Sequence, residues 1–181
     1  MAVEIIRHPT DEDWELCKLA ALNTIGRTSV ARLPDDEWKH RMLEARHSPI
    51  RVLMFMVRVN PVESWVATHF ARHVHLTPFI QTQRNDRQDA YDRRKAPQDA
   101  PVSMMLWINA EELMTVANKR LCGCASPETR AVARDICEAV IEVNPEFAPF
   151  LVPFCLEYGC HEFHPCGDAM SYLPRNGGRH E

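Results

Sequence analysis

Residues 64–84 read SWVATHFARHVHLTPFIQTQR, and the rest of the chain is organised around them. The stretch opens with helical spacing: Val66, Phe70 and the small Ala67 and Ala71 share one face, with Trp65 beside them. Buried against a core, that face carries Arg72 and His73 outward at the helix end. The following HLTPFIQTQ reads as extended, because Pro78 disfavours helix at Thr77 before it. Arg84 stands two residues after Thr82. Two adjacent cationic groups, a backbone-rich loop and a further Arg suit an anionic ligand such as a phosphate or pyrophosphate. The plainer reading leaves Arg72 and Arg84 on a solvated face and makes His73 a satisfied buried histidine.

Composition sets the frame around that stretch. A chain of 181 residues with 45% hydrophobic content buries a substantial core as one domain, residues 1–181. The formal net charge of -4 gives no general pull toward DNA or RNA, so any anion site is local. No apolar run reaches membrane-spanning length, and MAVEIIRHPTDEDWE is no signal peptide. Seven cysteines without a secretion signal point to a reducing, cytoplasmic setting, with thiols used for metal or packing. The expectation is a soluble α+β domain.

On the N-terminal side, VEIIRH reads as a strand and DEDWELCKLAALNTI as a helix with acidic residues at its positive end. Leu16, Leu19, Ala20 and Asn23 fall near one face of that helix, and Cys17 reads as packing. LPDDEWKHRMLEA is a second helix, with Trp38, Met42 and Ala45 spaced for burial, broken at Arg46–Pro49. RVLMFMVRV is a strand apolar on both faces, which implies cover on both sides.

On the C-terminal side, NDRQDAYDRRKAPQDAP alternates charges as a solvated loop or short helix does. PVSMMLWI is an apolar strand. Asn109 and Glu112 form a capping box for the helix EELMTVANKRLC, with Asn109 accepting from the backbone and Glu112 reaching back. SPETRAVARDICEAVIEV is the last long helix, capped by Ser126, with Val132, Ile136, Val140 and Val143 as its buried stripe. Cys137 packs beside that stripe.

Two segments together resemble the flavin-dependent thymidylate synthases. Arg72-His73-Val74, seven residues, Thr82 and Arg84 are similar to that family's RHR-X7-S-x-R signature, with Val74 in place of its second Arg and Phe79-Ile80 in place of Asn-Glu. WINAEELMTVANKRL followed by ASPETR resembles the family segment N-A-R-S-L-x-N-F-x-x-L-R and then A-Q-x-E-I-R. Ser48-Pro49 looks like a family loop that continues Glu-His, where this chain has Arg51-Val52. Glu111 stands where the family often has Arg. The middle of the chain is much shorter than the family's insertion there.

The resemblance implies that family's α+β fold, with helices packed on an antiparallel-type sheet, and a homotetramer with active sites shared between subunits. It implies FAD contacts at Arg72, His73, Thr82 and Asn109, and a pyrimidine nucleotide such as dUMP held by Arg84, Arg120 and, with little sequence to compare, Arg93. The reaction implied is reductive methylation of dUMP to dTMP, with methylenetetrahydrofolate as carbon donor and NADPH as reductant. No catalytic side chain is assigned, since the flavin carries the redox chemistry. Two other readings stay open: a flavin- or nucleotide-binding relative that acts on another pyrimidine or lacks synthase activity, and a metal-stapled structural or interaction protein.

The tail holds a second constellation. Cys155-x4-Cys160-x5-Cys166-Gly167 lies in a Pro- and Gly-broken stretch, and Cys122 follows Arg120-Leu121. Three thiols in such a loop are not core packing, and Cys122 completes a tetrahedral set, with Cys124, His161 and His164 as competing ligands. Zinc suits four thiolates first, and an iron-sulfur cluster uses the same ligands. Residues 150–170 are thus expected to be a Cys-rich, metal-stapled tail.

Overall fold

Along MFMVRVNPVE, alternation of burial through MFMVRV places Phe55, Val57 and Val59 on one face, all buried, and a register shift after Val59 lets Val62 be buried too. In a computed structural model, which describes residues 1–87 and 92–167, this run is β2, Met54–Glu63. It lies inside a four-stranded sheet of order β1-β2-β4-β3, with β1 Ala2–Arg7, β3 Leu76–Ile80 and β4 Pro101–Asn109. Every pairing is antiparallel, with Val57 opposite Leu106 and Phe79 opposite Met105. Pro78, which has no N–H to give a ladder, is accommodated because β3 is an edge strand. The α+β expectation therefore holds.

The helices are α1 Asp11–Asn23, α2 Asp36–Glu44, α3 Ser64–Ala71, α4 Ala110–Arg120, α5 Pro127–Val143 and the short α6 Phe154–Tyr158. Trp14, Phe70, Leu113, Met114, Ile136 and Phe147 join the inward sheet residues in one core. Asn109 caps α4 by accepting from the Glu112 amide at 2.9 Å, and Ser126 caps α5 by accepting from Thr129. Cys17 and Cys137 are core residues, as expected, and burial pushes both thiols up to about 12.

Several sequence expectations are corrected. Arg51 and Val52 fall in a 3-10 turn, Ser48–Val52, and the strand starts at Met54. Leu43 rather than Ala45 is the buried residue of α2, and Leu16 is 55% exposed while Trp14 anchors α1. Val143 lies at the fraying end of α5, 37% exposed. The side chains alternating with the buried β2 and β4 sets, among them Met56, Met105 and Trp107, are only half-buried. Among the described residues, then, full cover reaches one face of the sheet. No helix of the described chain is long and apolar enough to cross a membrane. Gln88–Tyr91 of the charged middle, and 168–170 of the expected metal-stapled tail, lie outside the described residues.

Candidate functional site

The chain turns out of α3 at Arg72, and the His73 amide closes that turn on Phe70 O at 3.0 Å. This swings the His73 ring against α4. Its Nδ1 lies 2.9 Å from Glu112 Oε1, while Arg120 Nε donates to its Nε2 at 3.1 Å. An arginine only donates, so Nε2 is the acceptor and Nδ1 carries the proton toward the carboxylate. Arg120 also donates from Nη2 to His69 O at 2.7 Å, and His69 Nδ1 lies 2.8 Å from Thr129 Oγ1. Residues of α3, α4 and α5 are thereby joined in one polar network, with the His73 and Glu112 side chains 8% and 7% exposed.

The electrostatics agree with that tautomer. Burial lowers the pKa of His73 despite the Glu112 hydrogen bond, and Arg120 pushes the same way. His69 is lowered by burial, then by Arg120 and Arg72. Burial, followed by repulsion from Arg72, also lowers Arg120. Arg72 itself is exposed and has no carboxylate partner among the described residues. Two neighbouring guanidinium groups, one without a carboxylate partner among the described residues, are a candidate anion site.

Beside this network lies a cavity of about 260 Å³ lined by Arg51, His75, Asn109, Glu111, Glu112 and Thr115. Glu112 is the shared wall. Arg51 donates from Nε to Glu111, and from Nη2 to its other oxygen at 3.4 Å. The Glu111 hydrogen bond raises the Arg51 pKa. The capping box of the sequence reading is half realised: Asn109 accepts from the backbone, but the Glu112 carboxylate is engaged by His73 instead of reaching back.

The second expected cluster forms elsewhere. Arg84 and Arg93 line one cavity of about 580 Å³ with Gln83, Asn85, Asp86 and Arg94. Arg84 pairs with both oxygens of Asp86 at 2.9 and 2.6 Å, Thr82 Oγ1 accepts from the Arg84 amide, and Asn85 accepts from the Arg93 amide. The Gln83 amide nitrogen is buried with no hydrogen-bond partner among the described residues. Strand register separates the two clusters. Leu76 pairs with Ile108 and Ile80 with Met104, so His73 and Asn109 lie at one end of the β3–β4 pair and Arg84 beyond the other.

The structure thus brings Arg72, His73 and Arg120 together near Asn109, and Arg84 with Arg93 and Thr82, but not the two groups with each other. Sequence reasoning missed His69 and Thr129, and took Glu112 only as a cap. The His69–His73 spacing along one helical turn was the available signal. Among the described residues, no three His, Cys, Asp or Glu side chains are set to hold a metal ion as they stand. Cys122 Sγ lies 4.0 Å from Glu162 Oε1 and Cys124 Sγ 3.5 Å from His164 O, so the stretch that carries Cys160 and Cys166 returns to the end of α4. Burial raises the Cys155 pKa first, and Cys122, Cys160 and Cys166 add to the shift.

No protein-family model matches the chain, and no curated protein matches it by sequence. Solved structures do match. Thymidylate Synthase X (ThyX) from Helicobacter pylori, crystallised with FAD and dUMP, superposes with a TM-score of 0.67 at 14% identity, covering 83% of this chain and 99% of that one. A further crystal structure of that flavin-dependent enzyme with FAD and dUMP gives 0.65 at 14% identity with the same coverage. A UMP/dUMP methylase, PolB from Streptomyces cacaoi bound with 5-Br dUMP, gives 0.64 at 14%, covering 83% and 96%. The chain has the ThyX-like fold.

Proposed function

We propose that the chain is a ThyX-like flavoenzyme that binds FAD and a pyrimidine nucleotide such as dUMP. The observation that carries this reading is Arg72, without a carboxylate partner among the described residues, beside the Arg120–His73–Glu112 network, in a fold whose solved examples include one with FAD and dUMP. The residues fit such ligands. Arg72 is exposed, the structural bonds of Arg120 use Nε and Nη2, that of Asn109 uses its Oδ1, and His75 lines the adjoining cavity with Asn109. When bound, FAD supplies the hydride for reductive methylation, with methylenetetrahydrofolate as carbon donor and NADPH as reductant.

The chain's own contribution is orientation and charge. His73 has both ring nitrogens engaged, so it holds Arg120 in place and does not itself contact the flavin. Glu112 fixes the His73 tautomer from the other side. Arg84 and Arg93, with the orphaned Gln83 amide, form the second anion-facing element. Because the two clusters lie at opposite ends of the β3–β4 pair, one shared site needs a second copy of the chain. The half-covered sheet face with Met56, Met105 and Trp107 supports such assembly, for which we propose the homotetramer.

A second reading has its own support. Val74 is 85% exposed and offers no phosphate contact, and the Arg51–Glu111 pair spans a cavity smaller than the usual ~300–1,000 Å³ for bound ligands. Both favour a relative that binds nucleotide or flavin without completing the synthase reaction. A dUMP-dependent NADPH oxidation assay with added FAD and methylenetetrahydrofolate separates the two. Turnover supports the synthase, and dUMP binding without turnover supports the relative. A protein that binds neither FAD nor dUMP contradicts both.

A further inference from the structure

Five thiols from two distant segments converge at the C-terminal end of α4. Cys122 and Cys124 follow the helix directly, Cys155 lies on α6, and Cys160 and Cys166 come after it. Core packing explains Cys17 and Cys137, and Cys122 is buried as well, but Cys155 is only half-buried and Cys124, Cys160 and Cys166 are exposed. The fold itself sets the meeting place. Asn118 of α4 donates to Val152 O at 2.8 Å and to Glu157 at 3.1 Å, and Arg46 pairs with the same Glu157 at 2.9 Å. The Lys119 ammonium sits 5.7 Å from the centre of the Phe154 ring. α6 is therefore fixed against α4.

Beyond α6 the chain folds back over the end of α4. Cys122 Sγ lies 4.0 Å from Glu162 Oε1, and Cys124 Sγ donates to His164 O at 3.5 Å. Cys160 stands two residues before Glu162 and Cys166 two after His164, so the same return carries both toward the end of α4. Residues 159–167 contain neither helix nor strand and are all exposed, with Phe163 at 92%. Apolar burial does not hold this return. Among the described residues no three of these groups share one coordination sphere as they stand, so metal binding requires the sulfurs to move inward, toward ~2.3 Å for zinc. A segment without ladder hydrogen bonds of its own allows that while α4 and α6 stay fixed.

We propose that Cys122, Cys155, Cys160 and Cys166 bind one metal centre of the four-thiolate class, zinc or an iron-sulfur cluster, with Cys124 supporting Cys122 from outside the ligand set. With zinc, four S–H bonds break, four metal–sulfur bonds form, and the four protons pass to solvent; an iron-sulfur cluster makes the same four exchanges with iron ions that inorganic sulfide, supplied as a co-reactant, bridges. With every position filled by thiolate the centre has no room for a substrate water, so its role is to hold the tail to α4. Cys122 stands two residues after Arg120. This proposal does not depend on flavin or nucleotide binding.

Elemental analysis of the freshly purified full chain tests it, together with addition of Co(II) to chelator-stripped, reduced protein. We expect one metal centre per chain and a thiolate-to-cobalt charge-transfer band. The band should weaken, and hold cobalt less tightly, in Cys155→Ser and Cys166→Ser, and keep its full intensity in Cys124→Ser and Cys137→Ser. Zinc gives a colourless native protein, and iron with matching sulfide gives a visible absorbance. In case a Ser variant fails to fold, alkylation of the wild type gives an independent readout. Cys122, Cys155, Cys160 and Cys166 should resist modification until chelator is added. Native protein without zinc or iron that gives no cobalt band would overturn the proposal, as would alkylation of these four thiols at the same rate with and without chelator. Loss of the band in Cys124→Ser would overturn the ligand assignment.

Discussion

Arg120 and Arg84 are both arginines on the nucleotide side of the reading, yet their surroundings predict opposite consequences for the fold. Arg120 donates to His73 Nε2 and His69 O, so Arg120→Ala leaves a buried acceptor pair unpaired. The expected cost is about 1–3 kcal/mol in denaturant unfolding, together with weaker dUMP binding. Arg84 is 66% exposed in its pair with Asp86, so Arg84→Ala should shift stability by less than about 0.5 kcal/mol while still weakening dUMP binding. Equal destabilisation by the two changes would contradict the network. The histidines add a pH signature. His69 and His73 both have folded-state pKa values below the ordinary ~6.5. As the pH falls through that value, the unfolded chain takes up protons that the folded chain refuses, so stability drops. The urea midpoint should fall between about pH 7.5 and 5.5, and His73→Gln should flatten part of that fall. A wild-type midpoint that holds or rises on acidification would show these rings are not held neutral.

At the scale of elements, α4 serves as both cap-stabilised scaffold and site wall, and Asn109 separates the two roles. Serine caps helices about as well as asparagine but lacks the amide N–H groups. Asn109→Ser should therefore melt within about 1 kcal/mol of wild type yet bind FAD more weakly, as followed by flavin fluorescence. Unchanged FAD affinity would reduce Asn109 to a helix cap. The elements themselves were legible in the sequence because each carried local chemistry: Pro78 after Thr77 for the strand, Asn109 and Ser126 for the caps, and the period of α5 for its buried face. The partners of α4 were not. Nothing in the spacing of Glu112, His73 and Arg120 says that two residues of α4 and one just past the end of α3 share two hydrogen bonds, since that contact is made by tertiary packing. The same limit explains Glu111. Read alone it replaces a family arginine, whereas in the fold it meets Arg51 across the cavity and restores a charge pair that neither position reveals.

Across the whole molecule, one protomer presents two arginine clusters at opposite ends of the β3–β4 pair and, among the described residues, one incompletely covered sheet face. Both features suit assembly, so light scattering should return four times the chain mass. A monomer that still turns over dUMP would contradict the shared-site account. The central claim remains that this fold, in this chain, holds flavin beside a nucleotide. The most direct measurement is the absorbance spectrum of the freshly purified protein, incubated with FAD, passed through gel filtration and then titrated with dUMP. The account predicts flavin bands that co-elute with the protein, in part lost without added FAD because Val74 supplies no phosphate contact, and a spectral shift that saturates with dUMP. Colourless protein after FAD incubation, or flavin bands that dUMP leaves unchanged, would contradict it.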